Sequence, residues 1–240
     1  MPHTSAAATD PNGYGAILFD LDGTLVDSLP ALARSLNAVL REDGRRAVSD
    51  AEVRAMVGDG IKVLVARAYA ATGDAPDSDA RLRALTARFS AHYEADPTAG
   101  CALFPYTAEI LAGLAGMGYR LGVVTNKPYT PAISLLRDFT LLPLLDIVVG
   151  GDTTPHLKPH PEPFLHAADR LELSPERVVV VGDSINDVDG AHRAGMRAVA
   201  VSYGYTRIPP AEFGAEALID GLAALPHALA MLPATEAIAT

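Results

Sequence analysis

Two aspartates two positions apart, Asp20 and Asp22, stand in the run Phe19-Asp-Leu-Asp-Gly-Thr-Leu-Val-Asp-Ser28, directly after the apolar stretch 16–19. Carboxylates this close beside apolar residues call for a cation or a shared proton, and oxygen-only ligands suit Mg²⁺. Three further groups of polar residues follow later apolar runs: Thr125-Asn126, Lys158 in a proline-rich turn, and Gly182-Asp183-Ser-Ile-Asn-Asp187. Taken singly, these are a solvated Asp-Leu-Asp-Gly turn, a capping Thr-Asn, a solvated lysine and a turn before a helix. Together, each at the end of an apolar run, they suggest carboxylates, a hydroxyl and an ammonium gathered on one edge of a sheet, where open α/β folds bind ligands.

The elements that must position them are short and apolar. Runs 16–20, 120–125, 146–149, 178–182 and 197–201 are too apolar to be half-exposed and read as fully buried strands. Helical patterns at 107–117, 163–171 and 187–194 alternate with them, the last closed by Gly195 as an αL cap. This alternation predicts a parallel, Rossmann-like α/β sheet. The segment 27–97 breaks it, because helical spacing alone is found there, over 30–41, 50–57, 61–71 and 80–95. A small helical cap inserted after the first strand is the natural parse. The expected organisation is a flexible tail over 1–13, a core domain from 14–26 and 98–232, a cap over 27–97 and a second tail over 233–240.

With 240 residues and 49% hydrophobic composition the chain can bury a sizeable core. A net charge of -10 and no basic block argue against a nucleic-acid surface, so an anionic substrate must be held by a local, cation-containing site. The single Cys101 cannot form an intrachain disulfide and reads as filler. The opening MPHTSAAATDPNG has neither a charged n-region nor an apolar h-region, and Asp220, Pro226 and His227 interrupt the apolar stretch 215–232, as in a strand followed by a surface helix. A cytoplasmic protein without a membrane role is expected.

In their order and context, Asp20-x-Asp22, Thr125, Lys158 and Asp183 with Asp187 resemble the four motifs of the haloacid dehalogenase-like superfamily, over roughly 15–232. The resemblance implies a strand order 5-4-1-2-3, which makes the Asp20 and Asp183 strands neighbours and sets the Thr125 strand on the other side of Asp20. It implies that Asp20 is the nucleophile and a metal ligand, and that Asp22 is the acid/base and lends its backbone carbonyl to Mg²⁺. Thr125 and Asn126 would hold the transferring phosphoryl group, Lys158 would neutralise it and orient Asp20, Asp183 would complete the metal shell, and Asp187 would stand behind these ligands. An acid at Asp22 favours phosphate chemistry over dehalogenation. The reaction implied is hydrolysis of a small phosphate monoester through an aspartyl-phosphate.

The helical insert resembles the small cap of phosphoglycolate phosphatases and β-phosphoglucomutases, which closes over small substrates. Within it, Val57-Gly58-Asp59-Gly60 resembles a substrate-facing loop of phosphoglycolate phosphatase-like proteins, with a helix amino terminus able to receive a carboxylate. Asp59 itself would repel an anion, and Arg54 and Lys62 flank the loop. Of His156, His160 and His166 the first two sit in a proline-broken segment rather than on one helical face, and all three read as turn or surface histidines rather than a zinc site. The expected substrate is 2-phosphoglycolate or a close relative, and the expected state is a monomer or homodimer. A phosphomutase with the same motifs, or a non-catalytic binding protein on this fold, remains the alternative.

Overall fold

The computed structural model describes residues 12–235. Six strands form one parallel sheet: β1 (Ala16–Phe19), β4 (Arg120–Val124), β5 (Ile147–Val149), β6 (Val178–Gly182), β7 (Arg197–Val201) and β8 (Ala217–Ile219), in the order β5-β4-β1-β6-β7-β8. The expected order therefore needs correction: the five anticipated strands keep their neighbours, and β8 adds a sixth beside β7. Strands β1, β6 and β7 are buried on both faces. In β1, Ile17 and Phe19 face one core cluster while Ala16 and Leu18 face another, the period-2 alternation of a strand. Helices α5 (Thr107–Gly116), α6 (Tyr129–Asp138) and α9 (Leu225–Met231) cover the first face, through Leu111, Leu114, Leu135, Leu136 and Leu229. Helices α7 (Glu162–Arg170) and α8 (Ile185–Arg193) cover the second, through Phe164, Ala167, Val188 and Ala191. Gly195, with φ 79°, follows α8 in the left-handed conformation expected of it.

Four helices, α1 (Leu29–Glu42), α2 (Asp50–Arg54), α3 (Ile61–Thr72) and α4 (Asp79–Ala95), share a separate hydrophobic cluster built on Leu36, Val39, Leu40, Val65, Leu85 and Phe89. The chain leaves the sheet for them and returns through a two-stranded antiparallel ladder, β2 (Val26–Asp27) against β3 (Ala102–Leu103). The tails expected over 1–13 and 233–240 lie mostly outside the described residues. Their described ends are tied together: the Thr235 N–H donates to the Asn12 carbonyl at 2.8 Å, and the Tyr14 hydroxyl donates to the Pro233 carbonyl at 2.6 Å. Among the described residues no helix is long and apolar enough to cross a membrane.

Register positions the site. Phe19 pairs with Val123 on one side and Val181 on the other. The next residues, Asp20, Val124 and Gly182, stand in one row at the carboxyl edge, with Thr125 and Asp183 one step beyond.

Candidate active site

Asp20 leaves β1 with its N–H donating to the Val181 carbonyl at 2.9 Å, which fixes its backbone to the neighbouring strand. Lys158 Nζ donates to Asp20 Oδ1, to Asp187 Oδ1 and to the Val124 carbonyl, each at 2.7 Å. All three donors of the ammonium are thereby filled, so in this geometry it aims the Asp20 carboxylate. Asp187 is itself fixed: its Oδ2 accepts from the Ser184 N–H at 3.1 Å and hydroxyl at 2.7 Å, closing the first turn of α8. With one oxygen on Lys158 and the other on Ser184, it holds the lysine against the start of α8.

Asp183 accepts from the Tyr205 N–H at 2.6 Å and from the Thr24 hydroxyl at 3.3 Å. Its carboxylate is closely cradled, since a Cβ on Gly204 would lie 2.1 Å from Asp183 Cβ and one on Gly23, where φ is 94°, 2.4 Å from Asp183 Oδ2. Neither position admits a side chain without moving Asp183. Asp20, Asp183 and Asp187 each bring one carboxylate oxygen within 4.8 Å of the others. Burial raises Asp20 to about 6 against the opposing charge of Lys158, and burial also drives Asp183 well above the usual carboxylate range. One ammonium facing three buried carboxylates leaves negative charge uncompensated, and hard oxygen donors in such a cluster fit a divalent cation of the Mg²⁺ kind.

Asp22 is held separately. Lys127 Nζ donates to its two oxygens at 3.1 and 3.2 Å, and the Ser28 hydroxyl donates to Oδ1 at 2.5 Å. Lys127 is 6% exposed, and its ion pairing raises its pKa despite burial. The Thr125 hydroxyl accepts from the Lys127 N–H at 3.2 Å, bracing this turn. Asn126 does something other than face the cavity with a free amide. Its Nδ2 donates to the Gly58 and Lys158 carbonyls at 2.9 and 3.0 Å, and its Oδ1 accepts from the Lys158 N–H at 2.9 Å, so it ties the Gly58 loop to the Lys158 turn.

The cavity lies between this edge and the helical group, lined by the polar groups above and by Leu32, Val57, Gly58, Gly60, Ile61, Leu64 and Tyr205. Gly58 and Gly60 have φ of 115° and 86°, so both hold conformations that suit glycine. Asp59 turns away from the cavity, accepting from Asn186 Nδ2 at 2.7 Å and pairing with Arg67 and Arg207 at 2.5 and 2.6 Å. Burial works against its ionisation, but these donors hold its pKa below the ordinary value. Its charge is thus met, which removes the repulsion anticipated from the sequence. Arg54 donates to the Gly204 carbonyl at 2.8 Å and stacks over Tyr205, while Lys62 is exposed on α3.

His156, His160 and Glu162 come together at the surface, without His166. The two imidazoles stack at 4.0 Å with an interplanar angle of 17°, and both turn Nδ1 toward Glu162 Oε2, at 2.5 Å from His156 and 3.9 Å from His160. Sequence reasoning missed Lys127, Ser28, Thr24 and Tyr205. Only Lys127 carried a signal, its place in the same turn as Thr125 and Asn126.

A family profile described as haloacid dehalogenase-like hydrolase matches residues 17–201. A phosphoglycolate phosphatase of Rhodospirillum rubrum is 47% identical over 214 residues, 88% of each chain. The crystal structure of a predicted phosphoglycolate phosphatase from Haemophilus somnus superposes with a TM-score of 0.83 at 34% identity, covering 89% of this chain and 97% of that one. The structure of CbbY from Rhodobacter sphaeroides in complex with phosphate superposes with a TM-score of 0.75 at 29% identity, covering 88% and 96%. With the fold, the motif residues on one sheet edge and these likenesses in agreement, the chain belongs to the haloacid dehalogenase-like hydrolases, among which it is a phosphoric monoester hydrolase similar to phosphoglycolate phosphatases.

Proposed function

We propose that this chain is a Mg²⁺-dependent phosphatase that hydrolyses a small phosphate monoester, 2-phosphoglycolate being the best candidate, through a covalent aspartyl-phosphate on Asp20. The observation that carries the reading is the separate support of two neighbouring carboxylates: Asp20 by Lys158 and Asp22 by Lys127. Each carboxylate thus has its own position and its own donors, so one is free to attack while the other exchanges protons with the ester oxygen and water.

Mg²⁺ bound at Asp20, Asp183 and the Asp22 carbonyl would supply positive charge against the repulsion between a carboxylate and a phosphate ester. Lys158 aims Asp20 Oδ1, leaving Oδ2 for attack on phosphorus. As the Asp20–phosphorus bond forms, the ester oxygen leaves and takes a proton from Asp22. Asp22, now ionised, removes a proton from a water that attacks the acyl-phosphate, releasing inorganic phosphate and restoring Asp20. Thr125, in the cavity lining, would donate its hydroxyl to the transferring group, and the Gly58–Gly60 loop would shield it from bulk water.

The test is release of inorganic phosphate from 2-phosphoglycolate with Mg²⁺ present, together with mass spectrometry of acid-quenched protein. Phosphate on Asp20 is the expected result, and Asp20→Asn should abolish both signals. Turnover that survives exhaustive chelation, or that persists in Asp20→Asn, refutes the reading.

A further inference from the structure

Asp183 takes its direction from one short segment, Tyr203-Gly204-Tyr205, which follows β7. The Tyr205 N–H donates to Asp183 Oδ2 at 2.6 Å. The Thr24 hydroxyl donates to Asp183 Oδ1, and the Tyr203 hydroxyl in turn donates to the Thr24 carbonyl at 2.8 Å. Between the two tyrosines, Gly204 approaches Asp183 so closely that no side chain fits there. A shift of this segment therefore moves the carboxylate, because close-packed groups transmit displacement instead of absorbing it.

The side chain of Tyr205 belongs to the helical group. It is 4% exposed, and among the described residues it is the one buried member of that group's hydrophobic cluster from outside 29–93. Its hydroxyl donates to Asp27 Oδ1 at 2.5 Å and accepts from the Leu29 N–H at 3.1 Å. Asp27 lies in β2, one of the two strands through which the chain passes between sheet and helices, and Leu29 opens α1. Arg54, on α2, donates to the Gly204 carbonyl at 2.8 Å and sets its guanidinium 5.0 Å from the centre of the Tyr205 ring. The entry strand, α1 and α2 thus all grip the segment whose backbone holds Asp183. A residue that only filled the cluster would need no hydroxyl, since burying one costs free energy that only its bonds to Asp27 and Leu29 offset.

We propose that Tyr205 is a positioning residue that links cation binding at Asp183 to the seating of the helical group, through the bonds of its hydroxyl to Asp27 and Leu29. This rests on the Mg²⁺-dependent reading and adds to it the residue that connects the metal site with the helices. The link is reciprocal: a cation that fixes Asp183 favours the seated helices, and seated helices tighten the cation. Tyr205 acts through Asp183 and touches no reacting atom.

The experiment titrates Mg²⁺ calorimetrically into chelator-treated protein and measures amide hydrogen exchange with and without Mg²⁺, in the wild type, Tyr205→Phe, Asp27→Ala and Asp27→Asn. Tyr205→Phe keeps the ring in the cluster and the N–H on Asp183, and deletes only the hydroxyl. Its Kd for Mg²⁺ should rise about 5–10-fold. Mg²⁺, which should slow exchange at Leu29 and across α2 in the wild type, should lose that effect in the variant. Asp27→Ala should behave as Tyr205→Phe does, while Asp27→Asn, which keeps an oxygen for the hydroxyl, should bind Mg²⁺ as the wild type does. A hydroxyl that serves folding alone would lower the melting temperature of metal-free Tyr205→Phe and leave both Mg²⁺ affinity and Mg²⁺-dependent protection unchanged. That result overturns the link and leaves the phosphatase reading standing. A folded wild type that binds no Mg²⁺ overturns the metal assignment and the link with it.

Discussion

The metal-free protein should lose stability as pH rises through the range where Asp20 ionises. Burial lifts Asp20 from 3.8 to about 6, against the pull of Lys158. Between those values the folded state keeps a proton that the unfolded state has released, so stability falls as pH rises and is highest below the unfolded pKa. A difference of roughly two units corresponds to about 3 kcal/mol. For a chain of this length that is about 6–12 °C in melting temperature. Asp20→Asn keeps an acceptor for Lys158 Nζ and cannot ionise, so the difference from wild type reports Asp20 together with its effect on Asp183, which burial and the Asp20 charge both raise. Wild type and variant would be unfolded in urea, with chelator present, from about pH 4 to pH 7. The wild type should fall relative to the variant by about 3 kcal/mol across that span, most of it before pH 6. Glu52, held down at about 2 chiefly by its hydrogen bond from Arg46, acts in the opposite sense at lower pH and cancels in the difference. Mg²⁺ needs the ionised carboxylate, so the stabilisation it gives the wild type should grow over the same window. A difference curve that is flat, or that rises with pH, would mean that Lys158 outweighs burial and would refute the electrostatic account of the site.

Two further substitutions separate roles within the cluster. Asp22→Asn should still give a burst of p-nitrophenol from p-nitrophenyl phosphate, followed by slow turnover, while an alkyl ester should slow by about 10²–10⁴-fold for want of a proton donor. Rapid mixing measures both, and equal losses on aryl and alkyl esters would remove Asp22 from that role. Gly204→Ala would bring a Cβ to 2.1 Å from Asp183 Cβ, and the displaced carboxylate should raise the Mg²⁺ concentration for half-maximal activity by about 10–100-fold in a folded protein. An unchanged Mg²⁺ titration would count against Asp183 as a ligand.

What was legible in the sequence follows from how strand register works. Asp20, Thr125 and Asp183 could be gathered from the sequence because each ends a run apolar enough to be a buried strand, and parallel register then aligns the ends. Strand β8 was harder to count as part of the sheet. It has only three residues, and Leu218 at its centre is 45% exposed, so it carries no fully buried pattern. The β2–β3 ladder, two residues on each side, is too short for any periodicity to register. The charge of Asp59, taken alone in the sequence, carries no sign of the partners that neutralise it. Arg207 lies 148 residues away, and only tertiary structure brings it and Arg67 to the carboxylate. Lys127 follows Thr125-Asn126 in sequence and carries no pattern of its own. Asp22, 105 positions earlier, and Tyr93 on α4 turn it into a buried lysine.

The two lysines also divide how the site depends on the helical group. Lys158 takes its three partners from Asp20 after β1, Val124 in β4 and Asp187 in α8. All belong to the sheet and the helix lying on it, so the direction of Asp20 is set by the most deeply buried part of the molecule. Lys127 instead lies between Asp22 and the Tyr93 ring, a side chain of α4. Its bonds to Asp22 are the longer pair, and one of its two anchors belongs to the helices that close the cavity. A displacement of α4 therefore reaches Asp22 through a single side chain, while Asp20 stays fixed by contacts that α4 does not touch. Seating of the helical group is in this way coupled to Asp22, the proton carrier of the proposed mechanism, whereas Asp20, its proposed nucleophile, takes its hydrogen bonds from the sheet and Lys158.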